Sequence, residues 1–307
     1  LFAPDAKCLA LNVQALDAGK RGSVSLVADA RVVLAALRPG SWRADAAWTS
    51  RAQTLAAAWN ERVTALTLAA PPAGELPCDA EVIGAVRDSA AAGNGKESPA
   101  DDIVVCAAGT LPAELHKLWR SAQPGNYHVE YGYSCMGYEI AGGLGVKLAR
   151  PEREVIVMVG DGSYLMMNSE IATSVMQGLK LIVVVLDNRG FGCIQRLQLA
   201  SGSPRFNNLL EDSVGEAGSD VHIDFAAHAG SLGAEAVHVG NVAELKTAMQ
   251  QARAARRTQV VVIDTSPWRT TPDGGAWWEV AIPEVSERAE VRAARHEYEQ
   301  GKRKQRL

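Results

Sequence analysis

No apolar run in this sequence approaches the roughly 20 residues that a membrane-crossing helix needs, and the N-terminus lacks the charged, apolar and small-residue succession of a secretory leader. Basic residues are not in excess: 31 Lys and Arg against 35 Asp and Glu leave a net charge of −4, which points to neither a nucleic-acid groove nor an anionic membrane surface. The five cysteines (Cys8, Cys78, Cys106, Cys135, Cys193) are odd in number, scattered and without a C-x-x-C pair, and read as reduced thiols of a cytoplasmic protein. The six histidines show no metal-ligand spacing. Each suits a surface or hydrogen-bonded core position, and only His128 lies close enough to the segments below to count as a candidate substrate contact. No G-x-G-x-x-G follows a strand-like run, which argues against a nicotinamide dehydrogenase.

What is present is a globular composition of 307 residues, 47% hydrophobic and 21% charged, enough for one large or two medium domains. The chain is organised around residues 155–194, VIVMVGDGSYLMMNSEIATSVMQGLKLIVVVLDNRGFGCI. Val155 to Val159 and Leu181 to Leu186 are short apolar, β-branched runs; the first ends in Gly160-Asp161-Gly162 and the second in Asp187-Asn188-Arg189-Gly190. The helix-length segment between them makes a βαβ crossover with two parallel strands side by side. Ligands of open α/β sheets bind beyond the C-terminal ends of the strands, where Asp161 and Asn188 fall.

These residues suit a divalent cation carrying a diphosphate. Mg²⁺ takes a few hard oxygen ligands and fills the rest of its shell from water and phosphate, which a carboxylate, an amide oxygen and a backbone carbonyl leave room for. Gly160 and Gly162 flank the carboxylate without side chains, so the backbone can approach a phosphate and take turn dihedrals that other residues resist. Ser163 and Tyr164 begin a helix whose free N–H groups and positive end favour an anion. A second strand-like run, Ile103 to Ala107, ends at Gly109-Thr110 ahead of a helix from about Leu111, with Pro112 in its first turn. Gly109 and Thr110 read as a tight turn or as a further phosphate contact.

Gly160-Asp161-Gly162 followed by Asn188 resembles the signature of the thiamine diphosphate (ThDP) dependent enzymes. The resemblance implies that Asp161, Asn188 and the carbonyl of Gly190 bind Mg²⁺. The family often has two asparagines where this chain has Asp187-Asn188; the second position, the implied ligand, is kept. Gly132 to Gly145, GYSCMGYEIAGGLG, resembles the segment that supplies a large apolar wedge under the cofactor. That implies Met136 as the wedge, with Ser134 as a neighbouring cofactor contact. Taken alone, Met136 also reads as a core methionine filling a gap.

Strands and helices alternate along the chain, so the fold class is α/β, a doubly wound parallel sheet; the resemblance implies that the tail of a second α/β domain precedes it. The expected division is 1–40, the last part of a central domain; 41–78, a helical connector and Pro-rich linker; 79–270, the diphosphate- and Mg²⁺-binding domain; and 271–307, a tail. Leu9 to Val13, Val24 to Ala28 and a helix over Ala30 to Leu37 cannot bury a core alone. The chain opens with Leu rather than Met, which suggests a piece of something longer. Helices are expected over 79–91, 191–199, 224–230 and 242–254, strands over 236–239 and 259–264, and a polar loop over 93–101. The small residues Ala141, Gly142, Gly143 and Gly145 predict close approach of another backbone or of the cofactor. Cys193 reads as a pocket-lining thiol, and the long loop over 201–220 as a substrate-facing flap. Trp277 and Trp278 need burial against this domain or another subunit, and the densely charged 287–307 reads as a solvated terminal helix.

Within the family, AAGTLPAELHKLWR, YHVEYGYSCMGYEIAGGLGVKLA, VMVGDGSYLMMNSEIATSV, LDNRGFGCIQRLQ and GGAWWEV are similar to the branch that opens a six-membered cyclic 1,2-dione in inositol breakdown. The resemblance covers essentially the whole chain, as the C-terminal half of such an enzyme. It implies a cyclic dione substrate, hydrolysis of the C–C bond between its two carbonyls, ThDP as electron sink and Mg²⁺ as its anchor. It further implies a homo-oligomer with sites shared between subunits. The family's activating glutamate lies on a preceding domain; Glu130, Glu139 and Glu170 do not match it, so this chain alone is expected to be inactive. An acetohydroxyacid synthase-like or glyoxylate carboligase-like ThDP enzyme, and a non-catalytic fragment, stay open as alternatives.

Overall fold

The structure, a computed structural model, describes residues 6–92, 102–212, 222–275 and 279–304. Its strands are β1 Leu9–Asn12, β2 Val24–Val27, β3 Ile103–Cys106, β4 Tyr127–Val129, β5 Val155–Gly160, β6 Ile182–Asp187, β7 Glu235–Val239 and β8 Gln259–Asp264. Its α-helices are α1 Ala15–Ala18, α2 Ala30–Ala36, α3 Ala46–Thr67, α4 Asp79–Asp88, α5 Thr110–Leu118, α6 Tyr138–Ala149, α7 Asp161–Met166, α8 Glu170–Met176, α9 Gly192–Ala200, α10 Phe225–Ser231, α11 Val242–Ala254 and α12 Ala289–Lys302. No described helix is long and apolar enough to cross a membrane.

Six strands form one all-parallel sheet in the order β4-β3-β5-β6-β8-β7. A parallel sheet buried on both faces needs apolar side chains pointing both ways, which is why β5 and β6 read as unbroken Val and Ile runs. Alternation divides them. Ile156, Met158, Ile182 and Val184 join Val86 of α4, Leu115 of α5 and Met249 of α11 on one face. Val155, Val157, Val183 and Val185 join Ile140 of α6, Tyr164 of α7, Ile171 of α8 and Phe225 of α10 on the other. The sheet is therefore doubly wound.

Chain order reverses between β3 and β5. From β3 the chain runs outward to β4, then crosses back to place β5 on the opposite side of β3. At such a reversal the segments leaving neighbouring strands diverge, and open sheets bind ligands in the crevice beyond the C-terminal ends, here those of β3 and β5. The reversal rests on β4, which sequence reading missed: three half-buried edge residues are too few to show a period. The connection from β5 to β6 is also not one helix but two, because the Asn168 side chain donates to the Tyr164 carbonyl (3.1 Å) and ends α7.

The parallel pair β1–β2 has little core of its own: Leu9, Val24, Val32 and Leu34 are each more than 60% exposed, in keeping with the expectation that this segment cannot bury one. In α6, Gly142 and Gly143 make room for side chains, correcting the expected backbone or cofactor approach; an added Cβ would fall 2.3 Å from the Tyr138 ring and from Val157, respectively. The charged C-terminal stretch does form a helix, α12, with Val291 and Tyr298 buried on its inner side. The expected polar loop at 93–101, most of the second half of the expected flap, and Trp277-Trp278 lie outside the described residues.

At the opposite end of the sheet from the crevice, Arg253 of α11 grips Asp102 with two bonds (Nη1 to Oδ1 3.1 Å, Nη2 to Oδ2 2.6 Å) and donates from Nε to Ser89 Oγ (2.9 Å). Both charges are buried. Arg253→Ala removes the guanidinium from a buried carboxylate and is expected to lower unfolding free energy by about 3–5 kcal/mol in urea titrations. A loss below about 1 kcal/mol would contradict that pairing.

Candidate functional site

β5 ends at Gly160 and α7 starts on the next residue, so Asp161 itself opens the helix, two residues earlier than the sequence suggests. Its carboxylate is 4% exposed. Oδ2 accepts the backbone N–H of Gly190 at 2.6 Å, which ties the turn after β5 to the turn after β6. Oδ1 is buried with no hydrogen-bond partner, and so is Oδ1 of Asn188. Beside them Asp187 is buried too, and its Oδ1 accepts the Arg189 N–H at 2.8 Å, a side-chain-to-backbone turn that aspartate favours.

That turn is tightly constrained. Arg189 takes φ 61° and Gly190 φ 139°, conformations that L side chains resist. A Cβ on Gly190 would also lie 2.4 Å from the Asn208 carbonyl. The neighbour arrives because Phe191 N–H donates to Asn208 O (2.7 Å) and Leu210 N–H to Arg189 O (2.9 Å). The first half of the expected flap is thus pinned to the site as a short β-bridge.

Two carboxylates in one dry pocket disfavour their own ionisation. Burial first, and the Asp187 charge second, push the Asp161 carboxyl up to about 7. Burial raises Asp187 as well, with Asp264 adding to it. A bound cation would reverse this balance. No cluster of three or more His, Cys, Asp or Glu suited to a metal occurs among the described residues. A cation here would therefore take one carboxylate, one amide oxygen and otherwise backbone, water or phosphate oxygens, the donor set of a hard ion such as Mg²⁺ and not of zinc.

The flanking glycines need one correction. Gly160 has an ordinary φ of −78°, and Gly162 is not among the positive-φ glycines, so neither is there for unusual dihedrals. Gly160 faces open space, with nothing within 4 Å of an added Cβ, whereas a Cβ on Gly162 would meet the Phe191 ring at 2.7 Å. Ser163 and Tyr164 also point inward. Ser163 Oγ donates to Glu139, and Tyr164, fully buried, shares a hydrogen bond with His228 Nδ1 (2.9 Å) and packs edge-on against Phe225. Only their backbone N–H groups remain to meet an anion.

After β3, Gly109 takes φ 88° and caps α5, again with no atom within 4 Å of an added Cβ. The tight turn is real, and it leaves room for a ligand. The Thr110 hydroxyl is held by Arg196 of α9, which also donates to the Pro267 carbonyl. In the segment before α6, Glu130 accepts the N–H groups of Tyr133 (3.1 Å) and Cys135 (2.7 Å) and holds Ser134 at φ 52°. Met136 is 36% exposed and belongs to neither core cluster, so it is not a gap-filling core residue. His128 is engaged through Nε2 with the Tyr138 hydroxyl at 2.6 Å. Cys193 is half-buried in the first turn of α9.

Sequence reasoning set Glu139 aside, yet it is 1% exposed and bonded to three of these turns. It accepts from Ala108 N (3.2 Å), Gly137 N (3.0 Å) and Ser163 Oγ (2.8 Å). Burial raises its pKa, and the bonds it accepts oppose the rise. The signal was an acidic residue in the first turn of an otherwise apolar, Gly-rich helix.

The demand for glycine at 190 is testable. Gly190→Ala should cost roughly 1–3 kcal/mol of stability, while Gly160→Ala, with an ordinary φ and open space, should stay within about 0.5 kcal/mol of the parent; urea unfolding of both variants checks the contrast.

Residues 107–265 match the family model described as thiamine pyrophosphate enzyme, C-terminal TPP binding domain. Among curated proteins, 3D-(3,5/4)-trihydroxycyclohexane-1,2-dione hydrolase of Bacillus thuringiensis (strain Al Hakam) is 43% identical over 198 residues, 63% of this chain and 31% of that protein. The protein of the same name from Bacillus subtilis (strain 168) is 34% identical over 304 residues, 94% of this chain and 47% of that protein. The chain thus spans less than half of the length of these relatives. Among solved structures, the thiamine diphosphate-dependent 4-hydroxybenzoylformate decarboxylase of Rhodococcus jostii RHA1 superposes with a TM-score of 0.55 at 20% identity, covering 64% of this chain and 34% of that one. Benzoylformate decarboxylase from Polynucleobacter necessarius gives 0.53 at 22%, over 66% and 35%. At such identities the two structures speak to the fold alone.

Proposed function

Because the chain belongs to the thiamine pyrophosphate enzymes, through their C-terminal cofactor-binding domain, we propose that its crevice anchors ThDP through Mg²⁺ and serves the hydrolytic opening of a cyclic 1,2-dione. The substrate is a trihydroxycyclohexane-1,2-dione, the product a 5-deoxyglucuronate, and the setting inositol catabolism in the cytoplasm. The relatives' names support the substrate. The observation that carries the site is the pair of buried oxygens, Asp161 Oδ1 and Asn188 Oδ1, with nothing to accept from. A buried, unsatisfied polar atom costs roughly 1–3 kcal/mol, and a cation between the two turns would satisfy both at once.

In this reading Asp161, the Asn188 side chain and the Gly190 carbonyl hold Mg²⁺. The diphosphate lies against the open backbone at Gly109, Thr110, Gly160 and Gly162 and the N–H groups of Ser163 and Tyr164 at the start of α7. Ser134 and Met136 contact the body of the cofactor. ThDP supplies the electron sink for breaking a C–C bond beside a carbonyl; the chain's own residues bind it, orient it and keep the anchor dry. Exposed apolar side chains on α7, α9 and the neighbouring turns (Met136, Leu165, Met166, Met167, Phe191, Ile194) leave a surface that favours a cover. A second subunit and a further domain, carrying the activating carboxylate, complete the site in this proposal.

Calorimetric titration of the chain with ThDP in Mg²⁺, and again in EDTA, tests it. Heat is expected only with Mg²⁺, and Asp161→Ala or Asn188→Ala should weaken binding by roughly 10–100-fold or more. Metal-independent binding, or an Asp161→Ala variant that binds like the parent, would refute the anchor. Assembled with the completing domain, the protein should turn over the cyclic dione and not 2-oxo acids; the reverse preference would move it to a carboligase-like activity.

A further inference from the structure

We propose that Glu139 is the positioning residue of this crevice: one buried carboxylate locks together the three turns that would contact the cofactor, without touching the cofactor itself. The inference rests on the ThDP reading of the crevice. Glu139 is the second residue of α6, where a carboxylate is favoured by the helix N-terminus. A carboxylate that only capped its own helix would bond only to the backbone beside it. Here two of the bonds leave α6, one to the Ala108 N–H, 31 residues away (Oε1, 3.2 Å), the other from the Ser163 hydroxyl, 24 residues away (2.8 Å to each oxygen). The third, from Gly137 N–H to Oε2 (3.0 Å), is local, and the same N–H also reaches Ser163 Oγ at 2.8 Å.

Each contact sits next to a candidate ligand-binding group. Ala108 precedes Gly109, Gly137 follows Met136, and Ser163 lies two residues beyond Asp161 in the same turn of α7. Glu139 therefore fixes the spacing between the metal anchor, the diphosphate turn after β3 and the apolar residue expected under the cofactor.

The geometry also specifies a carboxylate. Oε1 faces one backbone donor and Oε2 another, and the Ser163 hydroxyl donates between them. A glutamine in its place has one acceptor and one NH₂, so in either orientation an amide nitrogen opposes a backbone N–H. The near-isosteric change thus breaks the lock, although it removes the burden of burying a charge.

The test compares Glu139→Gln, Ser163→Ala and Asp161→Ala by amide hydrogen exchange and by Mg²⁺–ThDP titration. Glu139→Gln is expected to speed exchange together at 106–110, 134–138 and 160–164 and to weaken Mg²⁺–ThDP binding at least tenfold, with far-UV circular dichroism unchanged. Ser163→Ala should give a smaller effect of the same pattern. Asp161→Ala should also weaken binding, while Ala108 and Gly137 keep the parent's protection. Glu139→Gln that disturbs only 138–141, or that binds Mg²⁺–ThDP as the parent does, would overturn the proposal and leave the ThDP reading standing. A parent chain that binds no Mg²⁺–ThDP while the three segments still open together would indict the ThDP reading and leave the lock standing.

Discussion

The hydrogen bond from the Gly190 N–H to Asp161 Oδ2 is the constraint on which the site depends. It joins the ends of two neighbouring strands, β5 and β6, and uses one oxygen of the carboxylate; the other is left buried without a partner, as is Asn188 Oδ1. Everything nearby serves to keep that bond where it is. Arg189 accepts a left-handed φ, Asp187 holds its N–H, and the bridge to residues 208–210 fixes the chain from the far side. Strain of order 1–3 kcal/mol at one residue persists only where its surroundings overdetermine it, and here they do.

The sheet makes such a concentration of polar and strained groups tolerable. Its parallel strands are covered on both faces, with Ile, Val, Leu and Met filling two separate clusters. Folding stability can come from those layers and from the Asp102–Arg253 pair at the opposite end, remote from the crevice. The C-terminal ends are then free to hold unsatisfied oxygens. Functional sites commonly sit where local rules are broken and the scaffold compensates.

How much of this was legible in the sequence depended on the range of the interaction. The runs that became β5, β6 and β8 and the amphipathic α11 stood out because sheet burial and helix period impose a pattern on consecutive residues. Asp161 and Asn188 were legible because a carboxylate and an amide at the ends of such runs are chemically out of place. What escaped was set by contacts across long separations. The strand β4 is defined by pairing with β3, the inward turn of Ser163 by Glu139, and the burial of Tyr164 by Phe225 and His228. Glycine was the most misleading residue. Gly162 and Gly143 are small because a Phe191 ring and a Val157 side chain lie against them, a reason that no local pattern contains.

The engagement of the titratable groups separates holding from chemistry. Glu139 accepts three donors, Glu130 two backbone N–H groups, His128 is bonded to Tyr138 and His228 to Tyr164. A group that moves a proton in a reaction needs a free position within reach of the substrate; the two glutamates are committed to the donors around them, and each histidine has one ring nitrogen so committed. The turns around Asp161 instead offer fixed acceptors, open backbone at Gly109 and Gly160 and the start of α7, all suited to binding a charged group and to leaving it in place. On this physical division the turns are built for holding a charged group, which under the proposed function is the metal-bound diphosphate of the cofactor. Under the proposed function, the proton-transfer partner then belongs to the part of the protein that closes over the exposed methionines and Phe191.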